Sequence, residues 1–319
     1  MTDRLNELVS SGPQGDRALI IFASPEERCM GIAKLAHGFT ARIVVILRID
    51  DEPNEQREEN IKNLCTLLGS VGPVKVVNTT HEDPLVGLDS LIGLVSEASG
   101  GGQVVVDVST FPKNALLLTL RALEQVPDLH GVRAVYSEPA QYRLRPVASP
   151  VFGLRRIGVV PTFGATFRPN EELVLIMLLG YERDRAIAMW QGVQPHRTLA
   201  AVSGPSYRAE WDGIAEKLNA ALLAAIGEEG VHVVDPRDPW ATYRFLKTVV
   251  PEGSGQSLEN VYVAPLGTKP QTVGVYLYCR DVPDMVSVIY GAPVAREHEY
   301  LAVGIGPSWT LTQWETSVA

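Results

Sequence analysis

Short, unbroken apolar runs alternate along the chain with longer stretches whose apolar residues recur every three or four positions. The first kind reads as strands buried on both faces of a parallel sheet, the second as amphipathic helices. The pattern predicts strands over 18–23 (ALIIFA), 41–49 (ARIVVILRI), 74–78, 103–108 and 132–136. Between them it predicts helices over 24–37, 55–68, 84–98 and 114–125. Ser24-Pro25-Glu26-Glu27 carries the marks of a helix start: a hydroxyl for the N-cap, proline at the first position, and acids in the first turn.

Residues 140–172 break the rhythm with Pro146, Pro150, Pro161 and Pro169 and several glycines, and read as a connector holding a short hairpin near Gly158. The alternation then restarts. Strands are predicted over 173–179, 198–202, 231–234, 261–263, 285–290 and 300–304, and helices over 182–191, 209–226, 239–249 and 271–278. The implied division is a polar arm over 1–17, a first domain over 18–139, the connector, and a second domain over 173–319. The fold class is α/β: two Rossmann-like parallel-sheet domains.

Composition narrows the function. A chain of 319 residues suits two domains. The net charge of −9 argues against broad nucleic-acid binding, which needs a basic face. Cys29, Cys65 and Cys279 are scattered, and no C-x-x-C or H-E-x-x-H spacing occurs, so neither a disulfide framework nor a metal site is expected. With no apolar run of membrane-spanning length and no leader-like opening, a cytoplasmic protein is expected, without a membrane partner.

Two turns carry the candidate chemistry. In the second half, a buried strand feeds Pro265-Leu266-Gly267-Thr268-Lys269 and then an apolar helix. Backbone N–H groups at a helix start lack intrahelical partners, and with a hydroxyl and an ammonium beside them they suit a phosphate. Gly267 would let the backbone approach, Thr268 would donate, and Lys269 would supply charge. In the first half, Asp107-Val108-Ser109-Thr110-Phe111-Pro112-Lys113 occupies the same place. Asp107 there either caps the turn or accepts from a ribose hydroxyl, and Ser109, Thr110 and Lys113 complete the set. The halves match elsewhere too. Glu27-Arg28 answers Glu182-Arg183, Thr110 answers Thr268, and Ala134-Val135-Tyr136 answers Val288-Ile289-Tyr290, at separations of 155, 158 and 154 residues. Near-constant separations predict an internal duplication, with the halves as a pseudo-twofold pair whose turns line a shared cleft.

The Gly267-Thr268-Lys269 turn resembles the Gly-Thr-Lys motif of CARF domains, Rossmann-like domains that bind cyclic oligoadenylates in CRISPR and related antiviral signalling. A tandem in one chain resembles the SAVED sensors, which are fused pairs of CARF-like units. The first-half turn departs from the motif: it lacks the glycine, and its lysine falls three residues past Thr110. The resemblance implies a nucleotide second messenger as ligand, a possible effector protein as partner, and a possible homo-oligomer. Beyond the two turns, Glu26, Arg28, Glu182, Arg183 and Arg185 are either dipole partners of the first helices or contacts to a base edge or phosphate. Tyr136 and Tyr290 either pack or stack on an adenine. No added nuclease or protease motif is present, and there is no G-x-G-x-x-G after the first strand, no P-loop and no G-x-S-x-G elbow. The sequence leaves three readings: a sensor needing no cofactor, a metal-independent ring-nuclease-like enzyme on the same ligand, or an α/β enzyme acting on a phosphorylated sugar or nucleotide.

Overall fold

The computed structural model describes residues 16–36, 39–98, 102–142, 151–250, 259–296 and 302–315. Contacts divide the chain into two compact units, Met1–Leu144 with Tyr300–Ala319, and Arg145–Glu299.

The first unit holds β1 (Asp16–Phe22), β2 (Ala41–Ile49), β3 (Val74–Thr79), β4 (Gln103–Asp107) and β5 (Gly131–Ser137) in the parallel order 3-2-1-4-5. The run that starts at Ala18 is apolar at every position because β1 is central: residues 18–22 are at most 2% exposed. One face of this sheet packs Leu19, Ile21, Val44 and Ile46 against α1 (Gly31–Leu35) and α2 (Glu55–Leu68). α2 spans the predicted residues because Asn54 caps it, its Oδ1 accepting from the Arg57 N–H at 2.9 Å, while Ile61, Leu64 and Leu68 form its buried stripe. The unit also contains α3 (Leu88–Glu97) and α4 (Lys113–Leu123).

The second unit repeats this order. β8 (Leu173–Leu178), β9 (Arg197–Ser203), β10 (Val231–Val234), β11 (Asn260–Pro265) and β12 (Ser287–Arg296) run parallel as 10-9-8-11-12. Its helices are α5 (Arg183–Val193), α6 (Ile214–Leu218), α7 (Ala220–Ile226), α8 (Pro239–Val249) and α9 (Lys269–Asp281). The fold class is therefore as expected: two Rossmann-like sheets of the same strand order.

Each sheet is closed by a sixth, antiparallel strand. β14 (Ser308–Glu315) lies along β5, and β7 (Val151–Val159) lies along β12. This differs from the sequence-based division in two ways. The chain's last strand, expected with the second domain, belongs to the first sheet. The segment expected as a connector supplies an edge strand to the second sheet, paired with β12 and not closed into a local hairpin. Of the expected 300–304 strand, residues 300–301 lie outside the described residues, and β13 (Ala302–Val303) pairs with β6 (Gln141–Tyr142).

Several helices also differ. The 24–37 helix is a 3-10 turn, Glu27–Met30, followed by five residues of α1, and Ser24 does not cap it. Instead Ser24 Oγ accepts from the Glu26 N–H at 3.2 Å. The helix predicted from Pro84 starts after Gly87, whose φ of 87° and approach to the Asn78 carbonyl exclude a side chain. The long helix predicted over 209–226 is interrupted at Gly213 and again at Asn219, whose amide donates to the carbonyls of Gly180 (2.9 Å) and Ala215 (2.7 Å).

The polar arm was expected to end at Arg17, yet Arg17 is a buried structural residue. Its guanidinium donates to the carbonyls of Val95, Ser96 and Ala98, at the C-terminal end of α3, and of Pro127. A cation there meets unpaired carbonyls and the negative end of the helix dipole. Arg17→Met keeps the apolar bulk and leaves those carbonyls unsatisfied. It should cost roughly 2–3 kcal/mol and lower the unfolding midpoint measured by differential scanning calorimetry.

Candidate functional site

In both units the candidate residues gather at the C-terminal ends of the central strands, where sheets of this order bind ligands. In the first unit, the 3-10 turn after β1 buries Arg28. Its Nε and Nη2 donate to Glu26 Oε2 at 2.9 and 2.6 Å. Its Nη1 lies 3.4 Å from the Tyr136 hydroxyl and 3.5 Å from the Ser137 carbonyl oxygen. Burial opposes the charge, but Glu26, Tyr136 and Tyr142 outweigh it, so the Arg28 pKa is raised and the cation is firmly held.

The second unit builds the same cluster. Arg185 is 4% exposed, donates to Glu182 Oε2 at 2.6 Å, and places its guanidinium carbon 4.7 Å from the Tyr290 ring centroid. Its Nε donates to the Gly291 carbonyl at 3.0 Å. Arg28 and Arg185 thus share three partners: a glutamate on the same turn, a tyrosine of the fifth strand, and the carbonyl just after that tyrosine.

This changes the expected correspondence. The counterpart of Arg28 is Arg185, not Arg183, and the partnering acid of the first unit is Glu26, not Glu27. Arg183 pairs with its neighbour Asp184 at 2.8 Å on the half-exposed side of α5 and stands outside the cluster. Tyr136 is 2% exposed, so its ring packs and offers no face for stacking; Tyr290 is half-buried.

The two turns differ as well. Lys113 opens α4 and Lys269 opens α9, so the lysines are matched in place. Thr110 donates to the Phe22 carbonyl at 2.6 Å, tying the turn to the end of β1. Thr268 instead caps α9: its Oγ1 accepts from the Gln271 N–H at 3.3 Å, while Gln271 Oε1 accepts from the Thr268 N–H at 2.8 Å. The same hydroxyl donates to the Pro236 carbonyl at 2.6 Å. Two of the N–H groups expected to await a phosphate are therefore already paired in this capping box. A Cβ at Gly267 would meet Gln271 Oε1, so a larger residue there would displace the Gln271 side chain from the capping box.

Asp107 has no counterpart in the second unit. It faces Val135 across the β4–β5 pair, one residue before Tyr136. In β11, Val263 faces Val288, so the matching position, opposite Ile289, is the apolar Ala264. Asp107 is 1% exposed. Its Oδ1 accepts from the Ser109 hydroxyl and from the Ser109 N–H at 3.0 Å, while Oδ2 is buried without a hydrogen-bond partner. Burial pushes the carboxyl up to about 7, against the lowering effects of Ser109 and Arg28.

Four residues that the sequence reading passed over complete the first site. Ser109 Oγ accepts from the Ser137 N–H at 2.8 Å, and the Ser137 and Ser308 hydroxyls lie 2.7 Å apart. The Trp309 indole N–H donates to the buried Glu138. Ser308 and Trp309 belong to β14, and no local signal connects them to residues 171 positions earlier. Gln271 was legible, as the fourth residue of a Thr-x-x-Gln capping box.

No protein-family model matches this sequence, and no curated protein matches it. Among solved structures, the fold is similar to that of a protein described as a Type III CRISPR defence DNA nuclease activated by cyclic oligoadenylate. The two align with a TM-score of 0.50 at 11% identity over 83% of this chain. The chain spans 64% of that protein's length. At this identity the likeness concerns the fold.

The buried carboxyl gives a pH-dependent prediction. A folded-state pKa raised to about 7 means that the folded protein holds this proton more tightly than the unfolded chain. The associated stability is complete below the unfolded value and is lost as pH rises through the folded one. Wild type should therefore lose on the order of 1 kcal/mol or more between about pH 5 and about pH 8. Asp107→Asn should flatten that slope in chemical denaturation curves and be the more stable protein at the alkaline end.

Proposed function

We propose that this chain is a CARF-like sensor of a nucleotide second messenger of the cyclic-oligonucleotide kind, acting in the cytoplasm in antiviral defence. The carrying observation is the duplicated cluster: one Glu–Arg–Tyr set at the C-terminal end of each sheet, each beside a helix opened by a lysine. Packing alone does not call for two buried cations at matched positions. The fold likeness to a cyclic-oligoadenylate-activated nuclease supports the ligand class.

In this reading Lys113 and Lys269 meet the phosphates as point charges. Arg28 and Arg185, held by their glutamates, fix the tyrosine-bearing stretch of each fifth strand. Thr110 and Thr268 fix the shapes of the turns, with Gly267 making room for the capping box. Ser109 and Asp107 distinguish the first half from the second. The signal passes to an effector protein, and a homo-oligomer is compatible with the duplicated architecture.

A second reading, cleavage of the same ligand, is favoured by one observation. Asp107, with its carboxyl pushed up to about 7, accepts from the Ser109 hydroxyl. Once ligand binding opens this buried pair, the carboxylate suits a base for a ribose 2′-hydroxyl that attacks the adjacent phosphorus and expels the 5′-oxygen, leaving a 2′,3′-cyclic phosphate.

The test is thermal unfolding of wild type, Lys113→Ala and Lys269→Ala against a panel of linear and cyclic nucleotides, with chromatography of the mixtures afterwards. A ligand at about 100 times its dissociation constant adds about 2.7 kcal/mol to the stability of the native state. One cyclic nucleotide should raise the wild-type midpoint, and each lysine variant should lose that response while keeping its unliganded midpoint within a few degrees. Recovery of intact ligand supports the sensor; linear product that disappears in Asp107→Asn supports the enzyme. A panel without any shift removes both readings.

A further inference from the structure

The two sixth strands, β7 and β14, obey one rule that the local chain does not explain. β14 sets Ser308 opposite Ser137, Trp309 opposite Tyr136 and Thr310 opposite Val135. β7 sets Ile157 opposite Gly291, Gly158 opposite Tyr290 and Val159 opposite Ile289. In each pair a residue of the sixth strand faces the tyrosine of the fifth, and the register shift lies before Tyr136 in one sheet and after Tyr290 in the other. Both pairs are antiparallel, and both contain a bulge.

Chain order is equally regular. β5, β6 and β7 follow one another in the first half, as β12, β13 and β14 do in the second. If each half closed its own sheet, β7 would pair with β5 and β14 with β12. The opposite occurs: β7 closes the second sheet and β14 the first. Between them, β6 and β13 pair with each other antiparallel, Ala302 facing Tyr142 and Val303 facing Gln141. β6 and β13 hold the same place in the strand order of their halves, between the fifth strand and the closing strand.

We propose that β5–β6–β7 and β12–β13–β14 are equivalent segments that have exchanged their last strands, as two copies of a half-length chain do in a strand-swapped dimer. The outer edge of β5 is an acceptor for a strand encoded in the other half, and so is the outer edge of β12. The exchange completes the first-half site. Ser308 and Trp309 reach Ser137 and Glu138, and the Glu138 N–H donates to the Pro307 carbonyl at 2.9 Å. Residues immediately after Tyr136 are thus held by the end of the chain. The inference rests on strand pairing alone and stands whether or not a nucleotide binds.

Disulfide trapping in the full-length chain tests it. Arg133 and Gln313 face each other across β5–β14 with their side chains in contact at 3.4 Å, and Ala292 faces Arg156 across β12–β7. Facing residues of an antiparallel pair lie within reach of a disulfide. Three double variants are made: Arg133→Cys with Gln313→Cys, Arg156→Cys with Ala292→Cys, and Ser287→Cys with Gln313→Cys. Ser287 stands in β12 where Arg133 stands in β5, so the third pair bridges only if β14 closes its own sheet.

Each variant also carries a protease site inserted in the exposed turn at Pro169–Asn170. After mild oxidation, cleavage and denaturation without reductant, the first two variants should run as one covalently joined species that separates on reduction. In the third, both cysteines lie in the C-terminal fragment, so its outcome is read by peptide mass mapping, which should find no bridge between Ser287→Cys and Gln313→Cys. Peptide mass mapping locates each bridge and separates it from any involving the native Cys29, Cys65 or Cys279. Bridging of the third pair, or failure of both exchange pairs to bridge, overturns the proposal.

Discussion

A parallel sheet buried on both faces can be extended only at its edges, and every unpaired edge is a row of backbone donors and acceptors. In this protein the outer edges of β5 and β12 are closed by strands remote in the expected domain scheme. β14 returns to the first sheet from the end of the chain, and β7 reaches the second from what looks like a linker. The division into units follows from that constraint: the first unit is discontinuous, Met1–Leu144 with Tyr300–Ala319, and the second is the continuous stretch between them.

The same edge pairing shapes the candidate site. Arg28 is buried against Glu26 and Tyr136, and the carbonyl it approaches belongs to Ser137, the last residue of β5. Ser137 is held in turn by Ser109 and by Ser308. One hydrogen-bonded set therefore runs from the Asp107 carboxylate through Ser109 and Ser137 to β14. Removing one partner from a buried network of this kind strands the others. In the second unit the set is shorter. Gly291 and Ala264 stand where the first unit has Ser137 and Asp107, and the core of the cluster is Arg185 with Glu182, Tyr290 and one carbonyl. Duplication kept the cation and its acid and let the remainder diverge.

The two turns diverged in a similar sense. At Thr268 a capping box uses the hydroxyl and two N–H groups to start a helix buried on nearly every face, with Tyr276 and Tyr278 fully enclosed. At Thr110 the hydroxyl fastens the turn to β1, and α4 starts at Pro112-Lys113 without a side-chain cap. What the turns share is the lysine at the first position of each helix.

Sequence alone determined the elements whose signals are local. β2, α2, β10 and α8 have the predicted bounds because apolar periodicity and a capping Asn54 or Asp238 both act within a few residues. It also determined the strand–helix alternation, the duplication, and the lysine-bearing turns, since each is a pattern within one segment or a repeat of one. Tertiary structure decided the rest. Whether Arg28 matches Arg183 or Arg185 depends on which guanidinium turns inward to a glutamate and a tyrosine, and spacing does not encode that. The raised pKa of Asp107 follows from a burial that only the packed sheet creates. The places of β7 and β14 were not legible at all, because the partner of an edge strand is chosen by register and hydrogen bonding with a distant strand and not by the residues beside it in the chain.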